Sequence, residues 1–162
     1  VADGFFPIWM DPERYDIFEP SIDKGFAKTP GKMRTDFNVS PFVSVKVTDD
    51  VKAGIANLKG MMGFYIGGMG AKNKNFYNDY AKKMGFEEAA ETIQDHFLGG
   101  RRDEAIAAVP DELVDACHLV GPKERIVERL QRWKDAEKRD EVSTMIMSGS
   151  QADLEVIAET ML

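Results

Sequence analysis

The sequence holds one cysteine, Cys117, in 162 residues. A single thiol excludes an internal disulfide framework and offers no zinc spacing, and it fits a reduced, cytoplasmic setting. The two histidines, His96 and His118, lie far apart with no partner at a ligand spacing, so no metal site is expected. Basic runs are short as well. Apart from the mixed helix face from Lys134 to Arg139, no stretch of Lys or Arg exceeds two residues, and the formal net charge is −7. The electrostatic footprint of nucleic-acid or anionic-membrane binding is therefore missing. No apolar run approaches the roughly 20 residues of a membrane span. The chain opens Val1-Ala-Asp-Gly-Phe-Phe-Pro-Ile-Trp9 with neither an initiator methionine nor a charged leader, and it reads as a chain entered in mid-fold.

What is present is an ordinary globular composition, 43% hydrophobic and 30% charged, enough for one core and one domain over 1–162. Gly4 to Ile8 reads as a short buried strand, and Asp11-Pro12-Glu13 has the cap, N1 proline and first-turn acid of a helix start. Tyr15, Phe18, Ile22 and Phe26 recur at helical spacing, with Pro20 kinking or splitting that helix. A second strand spans Asn38 to Thr48, with Val43, Val45 and Val47 on one face. Asp49-Asp50 then cap a helix whose buried stripe is Val51, Ile55, Leu58 and Met62. Two more helices end at Gly85 and at Gly99-Gly100, and His96 sits on the second as a surface residue. In the last unit Gly121-Pro122 serve as cap and N1, Ile126, Leu130 and Trp133 mark a helix, and Val142 to Met147 form a strand. Ser148-Gly149-Ser150 leads into a final helix carrying Leu154, Ile157 and Met161, with Ser150 as N-cap and Asp153 closing a capping box. Nearly continuous apolar strands separated by helices argue for an α/β fold with parallel pairing. Three such strands leave open edges and an uncovered face, so either further barrel strands or further copies must complete the sheet.

Helix propensity explains least about Phe64-Tyr-Ile-Gly-Gly-Met-Gly-Ala-Lys-Asn-Lys-Asn-Phe-Tyr77. Gly67, Gly68 and Gly70 are expected to end the helix at positive φ, with Lys72, Asn73, Lys74 and Asn75 supplying donors directly afterwards. Two readings stay open, an anion or cofactor loop and a surface connection with a glycine helix stop.

Four segments in order, Ala2-Asp-Gly-Phe-Phe-Pro7, Tyr65-Ile-Gly-Gly-Met-Gly-Ala-Lys72 with Asn75-Phe-Tyr77, Val109-Pro-Asp-Glu-Leu-Val-Asp115 and Leu119-Val-Gly-Pro-Lys-Glu124, together resemble the luciferase-like flavin or deazaflavin oxidoreductases. The Gly-Gly-Met-Gly loop is most similar to the branch that uses the deazaflavin coenzyme F-420. The resemblance implies the C-terminal portion of a (β/α)8 TIM barrel, its last three strand-helix units with a helical insertion over about 64–117. It implies hydride transfer between F-420, or FMN as the alternative, and an unknown organic substrate.

Ligands in such barrels sit at the C-terminal ends of the strands. The implied cofactor contacts are Ile8 and Trp9 as pocket wall, Gly67, Gly68 and Lys72 on the loop, and Ser148, Gly149 and Ser150 for phosphate at a helix N-terminus. His118, at the implied rim, is the one candidate for acid/base work. The family's N-terminal strands, which supply most of the wall behind the ring and usually the acid/base, have no counterpart here. The other reading is thus a noncatalytic partial barrel that functions by association with an N-terminal portion or with copies of itself, the expected partners besides a small-molecule substrate.

Overall fold

The computed structural model describes residues 2–161, which divide into two compact units. The first joins the residues up to 51 with those from 116 onward, and the second is 52–115. The described residues form five strands: β1 Gly4–Phe5, β2 Asn38–Val39, β3 Phe42–Val47, β4 Leu119–Gly121 and β5 Ile146–Ser148. The helices are α1 Glu19–Ala27, α2 Val51–Gly68, α3 Phe76–Lys83, α4 Glu87–Leu98, α5 Arg102–Ala107, α6 Asp111–Cys117, α7 Lys123–Lys138 and α8 Gln151–Met161.

All strand pairing in the first unit is parallel. β1 lies beside β2 in register Gly4 to Asn38, and β3 is central to a sheet of order β4-β3-β5. Successive amides of a strand point to opposite edges, so residues two apart share an edge. On one edge Asn38, Ser40 and Phe42 donate to the carbonyls of Asp3, Phe5 and Pro7, and farther along Thr48 donates to Gly121. On the other edge the Val39 and Pro41 carbonyls accept from Ser143 and Ile146. β1 and β4 thus share one edge of the β2–β3 stretch, and β5 takes the other. The three strand units read from the sequence, β1, β2–β3 and β5, thus lie side by side in chain order, an order consecutive barrel strands also have, and β4 is a three-residue addition on the edge it shares with β1. The described chain is an open sheet in which β5 satisfies an edge of β3.

Val43 and Val45 of β3 are buried together with Leu119, Val120, Ile126, Leu130 and Trp133, so the α7 stripe read from the sequence is the one that packs. Four local expectations are corrected. The helix expected from Asp11 starts at Glu19, because Pro20 is tolerated only in a first turn; Asp11 instead closes a turn, accepting from Glu13 through its carboxylate and from Arg14 through its carbonyl. The strand expected over Asn38 to Thr48 breaks at Ser40-Pro41, where proline has no N–H to give. The strand expected from Val142 starts at Ile146, since Ser143 and Thr144 both donate to the Val39 carbonyl and regular pairing cannot begin until that shared bond is passed. Pro122, not Gly121, is the N-cap of α7, and Gly121 belongs to β4.

The second unit is helical, with Ile55, Met62, Ile66, Ala90, Ile93 and Leu113 in its core. Gly85 and Gly100, at φ 94° and 78°, turn the chain after α3 and α4 as left-handed helix stops. Because α2 runs unbroken to Gly68, this unit takes in the whole of that helix except its first residue.

Candidate functional site

Parallel register pairs Val47 with Gly121 and Ser148 with Ser44, so β5 ends three residues earlier along β3 than β4 does, and these C-terminal strand ends are where an α/β fold offers backbone groups to ligands. Of the strand-end residues named from the sequence, Ser148, Gly149 and Ser150 lie there. Ile8 and Trp9 follow β1 and, by the offset of the Gly4–Asn38 and Phe5–Val39 pairs, fall level with Phe42 and Val43, one residue short of the Ser44 level of Ser148. The Phe42 amide bonds the Pro7 carbonyl at 2.9 Å, which holds that segment beside the start of β3. Trp9 is 2% exposed and Ile8 half-buried, so the indole lies within the core and offers no open wall. The turn that follows is clamped by α7, where Arg132 reaches both Asp11 and Glu13 at 2.8 Å.

Ser150 and Asp153 form the capping box. The Asp153 carboxylate accepts from the Ser150 amide and hydroxyl, and the Ser150 hydroxyl accepts from the Asp153 amide. Its other oxygen accepts from the Val47 amide at 2.8 Å, the edge donor of β3 just beyond the reach of β5. Burial, the largest influence, raises its pKa, but the bonds from Ser150 and Val47 and the nearby Lys46 ammonium outweigh it and hold the carboxyl below the ordinary aspartate value. The anion that this helix N-terminus attracts is therefore its own Asp153. Gly149 is required by contact, since a Cβ there would come within 2.8 Å of the Val45 carbonyl oxygen. Ser150 thus holds the cap with its amide and its hydroxyl.

His118 is buried at 5% exposure, and its Nδ1 accepts from the Ser44 amide at 3.1 Å. That amide is the edge donor left in the gap between β1 and β4. Burial lowers the imidazole pKa to about 4, so the ring is neutral through the physiological range with its proton on Nε2. It serves as a backbone acceptor for β3. His96 is half-buried rather than fully on the surface, accepting from Arg101 at 3.1 Å.

In the second unit, Gly67 and Gly68 belong to α2 and neither has a positive φ. A Cβ on Gly67 would lie 2.5 Å from Phe97 Cβ, and one on Gly68 would lie 2.4 Å from the Phe97 ring. Close packing against that phenylalanine, rather than loop conformation, calls for both glycines. Lys72, placed on the loop as a phosphate contact, pairs with Asp95 at 2.7 Å, both exposed. Asn75 is buried and uses all its capacity internally: Nδ2 donates to the Tyr65 and Ile66 carbonyls, and Oδ1 accepts from the Tyr77 and Asn78 amides. It caps the end of α2 and the start of α3 at once. Asn78 adds bonds to the Ile66 and Ala90 carbonyls. These double-capping roles escaped the sequence reading, although an asparagine directly before a helical pattern is an N-cap signal.

Among the described residues no group of three or more His, Cys, Asp or Glu is placed to hold a metal, and no helix is long and apolar enough to cross a membrane. Of the named residues in the first unit, Trp9 is covered and Ser150 is engaged with Asp153; in the second, Lys72 is engaged with Asp95 and the glycines face Phe97.

The fold is of the α/β class, parallel strands covered by helices. The model of the luciferase-like monooxygenases matches residues 1–138, and the chain belongs to that family. It is 33% identical over 155 residues to a Mycobacterium tuberculosis protein provisionally named a coenzyme F-420-dependent oxidoreductase, a match covering 94% of this chain and 43% of that protein. A solved coenzyme F-420-dependent tetrahydromethanopterin reductase from Methanopyrus kandleri is similar in fold, with TM-score 0.69 and 19% identity over 99% of this chain and 44% of the reductase. The chain spans less than half the length of either relative.

Proposed function

We propose that this chain is the C-terminal portion of a (β/α)8 oxidoreductase whose complete form moves hydride between coenzyme F-420, with FMN as the alternative, and a small organic substrate. The observation that carries the reading is the 33% identity, along nearly the whole chain, to the mycobacterial protein named for F-420. The cofactor, when bound, supplies the hydride chemistry. This chain contributes backbone and side-chain contacts at the sheet end around Ser148 and Gly149, with Ile8 and Trp9 as support behind. The acid/base and most of the ring wall come from the remainder of the protein. The open outer edges of β1, β4 and β5 favour association with an N-terminal portion as the step that completes the site. The net charge of −7 disfavours a nucleic acid or an anionic membrane as partner, and the single cysteine fits a cytoplasmic setting.

The test is titration of reduced F-420 and of FMN, followed by cofactor fluorescence, into three samples: the full-length protein, this chain alone, and this chain mixed with the separately expressed N-terminal portion. Binding by the first and third and none by the second is expected. A full-length protein that binds neither cofactor overturns the oxidoreductase reading, and equal binding by the chain alone overturns the association step.

A further inference from the structure

In the first unit a cavity of about 270 Å³ lies between α7, the approach to β5, and α8. Each of these helices follows a strand and runs back beside the sheet. Trp133 and Glu137 late in α7, Val142 and Met145 ahead of β5, and Met161 at the end of α8 therefore gather where the strands begin, away from Ser148. With Met147 and Ile157 they give the cavity an apolar wall. Met147 pairs with buried Val43 and so lies on the sheet face that the helices cover. Two charges share this lining. Lys134 and Glu137 stand one turn apart on α7, and neither forms an ion pair among the described residues. Asp135 and Lys138, at the same spacing on the same helix, close at 2.9 Å. The difference is order, since an acid ahead of a base suits an intrahelical pair and a base ahead of an acid does not.

We infer that this cavity binds a free α-amino acid with a large apolar side chain, its carboxylate on Lys134, its ammonium on Glu137 and its side chain among the methionines and Trp133. Pockets for drug-sized ligands begin near roughly 300 Å³, so the volume suits an occupant of amino-acid size. Methionine is unbranched and polarisable, and a wall holding three of them adapts to aliphatic and aromatic side chains alike. The two charges decide the head group. A fatty acid would satisfy Lys134 and set its carboxylate against Glu137, and an alkyl amine would meet the reverse conflict, whereas a zwitterion satisfies both. The Ser143 hydroxyl already accepts from the Val39 amide, but the Thr144 hydroxyl in the same lining has no hydrogen bond among the described residues and is open to the ligand. The inference is independent of the oxidoreductase reading, because none of these residues was assigned to the cofactor and the cavity lies at the other end of the strands.

Isothermal titration of the full-length protein with L-leucine and L-phenylalanine tests it. Both are expected to bind, with L-alanine, N-acetyl-L-leucine and L-leucinamide each weaker by about tenfold or more, since each lacks the apolar side chain or one of the two charges. Lys134→Gln and Glu137→Gln, which keep good helix formers, are each expected to weaken leucine by about tenfold or more with unchanged circular dichroism. The analogue series uses the unaltered protein, so it decides the chemistry even where a variant fails to fold. Absence of binding by both leucine and phenylalanine overturns the inference. N-acetyl-L-leucine or L-leucinamide binding as tightly as leucine overturns it as well, and so does leucine binding that survives both substitutions.

Discussion

Replacing Gly67 by alanine sets two opposed effects against each other, and their sum is predictable. Within a helix, alanine is favoured over glycine by roughly 0.5–1 kcal/mol, and Gly67 has no positive φ to forfeit that gain. Against it stands the Phe97 Cβ at 2.5 Å, an atom fixed to the α4 backbone that no rotamer change can withdraw. Overpacking of this kind costs about 1–3 kcal/mol. The expected net is a destabilisation of up to about 2.5 kcal/mol, from the difference of these two ranges. At Gly68 the close atoms are the far edge of the same ring, which can swing aside, so Gly68→Ala costs less than Gly67→Ala. The decisive sample is the double variant with Phe97→Gly, where both the ring and its Cβ are gone. In that background Gly67→Ala is expected to stabilise by the propensity term alone, reversing sign. Urea denaturation of the four members of the cycle, followed by far-ultraviolet circular dichroism, gives the coupling energy. A Gly67→Ala effect of the same sign and size in both backgrounds would refute the packing account of the Gly-Gly pair.

Two further outcomes follow from buried polar groups. Asn75→Asp keeps the acceptor that caps α3 but sets a carboxylate against the Tyr65 and Ile66 carbonyls, so it is expected to destabilise at least as much as Asn75→Ala, by about 2–4 kcal/mol on chemical denaturation. His118 titrates at about 4 in the fold and at an ordinary 6.5 when unfolded, so its neutral form contributes stability that is complete above pH 6.5 and is lost as pH falls toward 4. The loss amounts to about 3 kcal/mol. His118→Gln, which retains an acceptor for the Ser44 amide, is expected to flatten the stability–pH slope in that window, read from urea midpoints at stepped pH.

The α/β class and the α7 stripe of Ile126, Leu130 and Trp133 were legible because long helices repeat their apolar positions many times. β4 was not, since three residues carry no periodicity and Leu119-Val-Gly-Pro reads equally well as a turn. The break at Pro41 and the late start of β5 depend on which carbonyl a distant amide finds, and Val39 is more than a hundred positions from Ser143. The capping box of Ser150 and Asp153 could be read locally, but the reach of Asp153 to Val47 is tertiary. Gly67 and Gly68 misled for a physical reason: glycine serves both positive φ and close approach, and only the position of Phe97 distinguishes them. The polarity of His118 suggested chemistry, yet it answers a backbone vacancy that no sequence window displays.

The central strand β3 is joined to β4 in space, while the entire second unit lies between them along the chain. Forming that ladder from an extended chain means closing a long loop before any pairing compensates for it. A second unit that condenses first shortens the effective tether and leaves less entropy to lose when Leu119 meets Val45. The helical unit thereby governs the kinetics of a sheet to which it supplies no strand. Slow folding within 52–115 is then expected to appear as delayed assembly of a sheet whose own residues are unchanged.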